Sequence, residues 1–316
     1  VTITPTAAIV GGNGVTATSA GTPQTYGLDK GQVLQIAQDE ELSGSLIHSN
    51  HPIGHWGGSS CANIPVDVAA CDSAHQQIPP RTALGHEYVA VRYRNRFDGM
   101  EETVPWHLVG AADGTVLTYD PAAPPGAPTT LSAGQLVEFD GTGLFSVASQ
   151  DAMHPFYMST YMTGCGEVDP MEEDCRGDPE FVNVVPAQQF LGSYSFFTDP
   201  TFSETNLVLV RAKDSAGFHD VTLDCAGTLS GWAPIGSAGN YEYTRVDLTR
   251  DDFQGQNGCD NGAHEAHSDG LFGLTVWGWG SAETMGCLAP SACAGFYTQA
   301  VSYAYPAGAG VQAISQ

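Results

Sequence analysis

The chain has 316 residues, with 35 acidic side chains against 10 basic ones and a net charge of −25. That balance excludes nucleic acid, whose phosphates call on clusters of Lys and Arg, and docking on anionic lipid. No run approaches the roughly twenty apolar residues that a membrane helix needs, and the length suits two or three packed units better than one core.

From the N-terminus, Gly11-Gly12-Asn13-Gly14 reads as a turn ahead of a strand, without the helix N-terminus that a phosphate loop requires. Leu28-Asp29-Lys30-Gly31-Gln32-Val33 and Asn50-His51-Pro52 return 103 positions later as Leu131-Ser132-Ala133-Gly134-Gln135-Leu136 and Met153-His154-Pro155. Val10–Thr16 returns as Val109–Thr115, and Leu84-Gly85-His86-Glu87-Tyr88 as Leu191-Gly192-Ser193-Tyr194. A looser third copy runs from Asn206 through Tyr243-Thr244-Arg245-Val246 to Ser268–Val276. A period near a hundred residues is one domain, too long for a solenoid repeat or a propeller blade.

Thr115–Tyr119, Gln135–Phe139, Leu207–Val210 and Phe272–Trp277 are β-branched or aromatic runs bounded by Gly, Pro, Asp and Ser. They predict an all-β chain, a tandem of about three related β-sandwich-like units with disulfide-stapled loops, divided 1–85, 86–195 and 196–316. Pro121–Pro128 is expected to be a long hairpin loop, while Cys61–Gly85 and Gly164–Leu191 are expected to join one unit to the next. Helix is confined to a turn at Pro186–Leu191 and a counterpart near Ser73–Gln77.

The eight cysteines lie in Gly- and Pro-rich settings, which reads as disulfides and an oxidising compartment. Cys61–Cys71 and Cys165–Cys175 share one spacing and are the first choice, followed by Cys225–Cys259 and Cys287–Cys293. The rival reading is zinc, which would call for a Cys-x2-Cys spacing that is absent here. Val1, in place of an initiator Met, is expected of a processed, secreted product.

Ser49-Asn50-His51-Pro52-Ile53, then Cys61-Ala62-Asn63-Ile64-Pro65 and Cys71-Asp72, resembles the N-terminal domain family of the IgG-Fc-binding protein. The likeness continues through Gln77–Pro80, Gly177-Asp178-Pro179 and Pro186–Leu191 to Ser302–Gly308. The resemblance implies a secreted or surface protein concerned with binding or adhesion, with no catalytic residues to carry over. The acidic, lysine-poor composition is expected of a bacterial relative, myxobacteria being among the bearers of this family. Where the family carries Lys-Pro, this chain has His51-Pro52 and His154-Pro155. Glu180 replaces the His of the Gly-Asp-Pro-His context in which related mucus proteins are cut, so the Asp178–Pro179 bond is expected to stay intact.

Histidine is the candidate metal ligand. His51 and His55 share one face of a regular strand, and His51 with His154, plus Met153 or His264, could build a Cu or Zn site across a domain interface. Pro52 interrupts that strand, and turn or surface histidines are the plainer reading. The acidic loop 167–174 could hold Ca²⁺ but reads first as a solvated loop. No Gly-x-Ser-x-Gly elbow is present, and pairs such as Asp251-Asp252 and Glu172-Glu173 are ordinary at this composition. Trp277, Trp279 and Tyr297, like Phe156, Tyr157 and Tyr161, suit either core packing or a ligand surface.

The sequence therefore predicts a secreted or cell-surface binding or adhesion module for extracellular protein or glycan, with no catalysis, cofactor, nucleic acid or membrane insertion. A His-ligated transition-metal protein, conceivably an oxidative enzyme, is one alternative. A structural subunit assembling through β-edges is another.

Overall fold

The computed structural model describes residues 1–68, 71–169, 175–251, 253–280 and 301–315. Within them the chain is nearly all-β, and the short alternating runs pair as antiparallel strands. β1 (Thr2–Thr4), β2 (Gln24–Thr25) and β3 (Leu46–His48) form a small sheet in the order β2-β1-β3. Its core is Ile3, Ile9 and Tyr26. The Gly11–Gly14 segment is the expected turn: Gly12 bridges Val15, with Asn13 and Gly14 at φ of 51° and 90°. Those are the left-handed conformations that a tight hairpin demands.

β4 (Trp56–Ala62) and β5 (Asp72–Gln77) form a hairpin closed by the Cys61–Cys71 disulfide. Then come β6 (Glu87–Ala90), β7 (Val104–Gly110), β8 (Thr115–Asp120), β9 (Thr130–Leu131), β10 (Leu136–Gly141), β11 (Phe145–Ser149), β12 (Phe156–Met162) and β13 (Glu180–Asn183). They build two four-stranded sheets, β10-β7-β12-β13 and β6-β11-β8-β9. The Pro121–Pro128 segment is the loop of the β8–β9 pair, as expected.

The last sheet holds β14 (Leu191–Phe197), β15 (Glu204–Ala212), β16 (Val221–Leu223), β17 (Gly227–Thr228), β18 (Ala233–Ile235), β19 (Tyr241–Arg250), β20 (Gln254–Gly255), β21 (Ala263–Trp279) and β22 (Ser302–Pro306). Its pairings repeat the preceding pattern. The first half of β21 lies between β14 and β16, as β11 lies between β6 and β8; its second half lies between β15 and β22, as β12 lies between β7 and β13. The 17-residue β21 thus does the work of two shorter strands.

One core joins these layers: Tyr93, Trp106, Leu108, Phe156 and Met158 lie in it with Val208, Trp277 and Trp279. Of the aromatics weighed above as a ligand surface, Phe156, Trp277 and Trp279 are therefore packing residues, all three being essentially inaccessible. Burying side chains of this size contributes about 1.5–3 kcal/mol each.

Two sequence expectations need correction. Ser73–Gln77 is not a helical turn but part of strand β5; the counterpart of the 3-10 turn at Ala187–Gln189 is Arg81–Ala83. Pro80 and Pro186 precede these turns, where a missing N–H costs nothing. The stretches Cys61–Gly85 and Gly164–Leu191, read as connections, each carry a strand, β5 and β13. Cys165–Cys175 and Cys225–Cys259 are bonded as expected, and Cys287 and Cys293 lie outside the described residues.

Arginine holds the layers together. Val91–Phe97 alternates, and Arg92, Arg94 and Arg96 reach Glu101, Asp247 and Glu102 at 2.7, 2.7 and 3.0 Å. Arg94 also meets the buried Glu204, and the Arg245 guanidinium donates to the Arg92 carbonyl. Asp120, at the end of β8, accepts hydrogen bonds from Ser237 and Ala238, which hold its carboxyl below the usual carboxylate range. Much of the scarce positive charge is thereby spent inside, leaving an acidic surface.

Candidate functional site

The histidines singled out by spacing occupy different places. His51 and His55 are exposed and lie in the β3–β4 connection, outside any strand. His154 lies in the β11–β12 turn with Nδ1 2.7 Å from Asp151 Oδ1. In each His-Pro turn an upstream serine hydroxyl donates to the histidine carbonyl, from two residues back in Ser49 to His51 at 2.7 Å and from five back in Ser149 to His154 at 2.6 Å. That gives the repeated motif a backbone role, since a residue before Pro is held extended.

His264 is buried on β21, its Nδ1 3.1 Å from Asp224 Oδ1 and its Nε2 2.8 Å from the Asp260 carbonyl. Both neighbours are acceptors, one facing each ring nitrogen. Among the described residues, Asp224, Cys225 and His264 form the one group of three possible ligands with donor atoms within 4.8 Å of one another. Cys225 is committed to Cys259, and His51, His55 and His154 do not enter the group. Of the acidic loop, 170–174 lies outside the described residues, as do Asp252 and Tyr297.

Sequence reasoning missed a different cluster. β5, β13 and β22 converge: the Asn183 amide donates to the Gln77 carbonyl at 2.8 Å, and the Gln76 amide to the Ala304 carbonyl at 2.9 Å. Two buried carboxyls sit there. Burial pushes Asp178 up to about 7 and Glu180 up to about 8, with the Asp72 carboxylate adding to both and Arg96 opposing at Asp178. Such shifts mark functional sites but arise in structural clusters as well. Here neither residue lines the apolar cavity bounded by Val89, Val91, Phe190, Val208 and Trp277. Both sit between strands, where their chemistry is that of packing.

His107, also missed, lies on β7 with Nδ1 3.0 Å from the Tyr161 hydroxyl and Nε2 3.1 Å from Glu138. Burial holds it down to about 4, so near neutral pH it accepts from Tyr161 and donates to Glu138 as an uncharged ring.

The exposed counterpart to these enclosed groups is the β4–β5 hairpin. Trp56 is 59% exposed, Ile53 beside it is also exposed, and most of β4 faces solvent. A large aromatic left in water on a disulfide-braced hairpin is the kind of residue that anchors an interface.

The family model described as IgGFc binding protein matches residues 1–278. The chain belongs to the IgGFc binding protein family. The match takes in the motif residues around Cys61 and Cys71, which here close the β4–β5 hairpin, and stops short of Ser302–Gly308, most of which forms β22. No curated protein and no solved structure gives a significant match. For this member of the IgGFc binding protein family, the all-β frame and its disulfides follow from the chain's own residues.

Proposed function

We propose that the chain is an extracellular binding module that takes a protein partner. Membership of the IgGFc binding protein family across residues 1–278 carries this reading. The disulfides suit an oxidising compartment. None of the helices among the described residues is long and apolar enough to cross a membrane. The exposed hairpin with Trp56 offers a contact surface, while the perturbed carboxyls are enclosed between strands.

The test is surface plasmon resonance of the purified chain over immobilised immunoglobulin Fc, secreted mucin and a panel of extracellular proteins, beside a glycan array. Saturable binding to a protein surface supports the reading, and binding confined to the glycan array replaces protein by carbohydrate. A chain that binds neither, yet turns over a substrate, would make it an enzyme.

A further inference from the structure

Among the described residues, strand β4 has a bonded neighbour on one side only. It pairs with β5, and among the described residues no backbone group of Trp56–Ala62 bonds to any other strand. The strands in the same place further along have two neighbours. β12 lies between β7 and β13, and the second half of β21 between β15 and β22.

The equivalence of β4 and β12 rests on their flanks. A His-Pro turn precedes each, a disulfide across ten residues follows each, and the next strand leads through Pro80 or Pro186 into a 3-10 turn. The segment that corresponds in sequence to the end of β7, around Val10, is engaged elsewhere: Ile9 bridges Thr18. Among the described residues, therefore, no strand takes the place beside β4 that β7 and β15 fill further along. Exposure follows the pairing, for Phe156, Met158 and Met162 on β12 are fully buried whereas most of β4 is not.

The open edge is set for hydrogen bonding. The Ile78 N–H donates to the His55 carbonyl at 2.9 Å. Antiparallel alternation then turns the N–H and C=O groups of Trp56 and Gly58 away from β5. A register shift between Ser59 and Ala62 ends the ladder, so an added strand pairs over a short stretch flanked by exposed Trp56 and Ile53.

We propose that the open edge of β4 accepts an extended strand from a foreign polypeptide of neutral or basic charge, antiparallel to β4 as β7 is to β12. This rests on the binding-module reading and names its surface and mode, strand addition. The chain shows the kind of occupant required, since β7 and β15 are antiparallel strands whose Val104, Trp106, Leu108, Leu207 and Leu209 are buried. Charge selects the source. From Gly54 to Pro65 the one titratable side chain that is not disulfide-bonded is His55, while the whole chain carries −25. A second copy would bring another −25 to the contact; a neutral or basic strand brings no such repulsion.

The probe is a fluorescein-labelled peptide of residues Glu204–Ala212, the chain's own edge-filling sequence, with one Glu and one Arg. It is made also in two backbone N-methylated forms that block alternate N–H sets, and anisotropy is read against the full chain. The parent should bind saturably, and a benzophenone version should crosslink within 53–62. One N-methyl set should weaken binding by about tenfold or more and the other should leave it nearly unchanged, because only one row of N–H groups faces β4. Equal binding by both methylated forms, crosslinks elsewhere, no binding, or a dimer of the chain crosslinked through β4 would each overturn the proposal. A protein surface that captures the chain undiminished by saturating peptide also overturns it, and leaves the binding-module reading standing. Peptide binding at β4 with no capture by any protein surface supports the edge and removes that reading.

Discussion

The Tyr88 hydroxyl donates to the Phe156 carbonyl at 2.5 Å while accepting from the Gly85 N–H, and the two rings lie 4.7 Å apart. Tyr194 repeats the arrangement with Phe272, at 2.5 Å and with rings 4.9 Å apart, accepting from the Leu191 N–H. Each hydroxyl satisfies two backbone groups that would otherwise be stranded. Tyr88→Phe or Tyr194→Phe should therefore each cost about 1–3 kcal/mol, the penalty for leaving buried polar groups unpaired. Urea denaturation measures this, and an unchanged midpoint in both variants would show that water takes over the role.

Arg96 and Glu102 are both buried, 3.0 Å apart. The Arg96 guanidinium also donates to the Thr163 hydroxyl and to the carbonyls of Thr163 and Arg176. Arg96→Met strips the guanidinium from buried Glu102, leaving it the Tyr93 hydroxyl and the backbone N–H of residue 96, and should cost about 3–5 kcal/mol, whereas Arg96→Met with Glu102→Met should recover part of that loss. Equal destabilisation of the single and double variants would mean that the Thr163 and Arg176 contacts, not the ion pair, dominate.

Much of the frame was legible because its signals are local. The strands Thr115–Asp120 and Glu204–Ala212 announce themselves by β-branched runs, and the bridges Cys61–Cys71 and Cys165–Cys175 by equal spacing. Strand β5, Asp-Ser-Ala-His-Gln-Gln, carries one buried residue and no apolar alternation, so it looks like anything but a strand. The carboxyl cluster was invisible for another reason. Besides burial, Glu180 feels the Asp72 charge and a backbone hydrogen bond at Ala304, each over a hundred residues away, and no pattern near Gly177-Asp178-Pro179 reports that. The histidine spacing has a plainer source, since His51 and His154 each lie in a repeated His-Pro turn where a serine hydroxyl donates to the histidine carbonyl.

The three disulfides among the described residues should not be equal in effect. Cys225–Cys259 closes a separation of 34 residues and each of the other two a separation of 10. On the chain-entropy account the longer loop is worth roughly 4 kcal/mol and each short one roughly 3 kcal/mol. Cys225→Ala with Cys259→Ala should accordingly lower the urea midpoint more than Cys61→Ala with Cys71→Ala. The reverse order would indicate that the β4–β5 hairpin depends on its bridge for structure, not merely for chain entropy.

Stability should fall as pH rises through neutrality. The folded chain holds protons on Asp178 and Glu180 up to about 7 and 8, whereas the unfolded chain releases them near 4. Between those limits folding takes up protons, so the stabilisation is complete below about pH 4 and is lost on the way to pH 8. His107 works oppositely: held down to about 4 against about 6.5 unfolded, it makes stability rise with pH over that interval and contributes no slope above it. Asp178 and Glu180 are therefore best resolved between about pH 6.5 and 8, above the range in which His107 acts. Asp178→Asn with Glu180→Gln removes the two titrating groups while keeping their size. Its urea midpoint should decline less across that window than that of the parent chain. If the double variant keeps the parent's full slope, the protons are taken up elsewhere, and the convergence of β5, β13 and β22 is not what makes the fold alkali-sensitive.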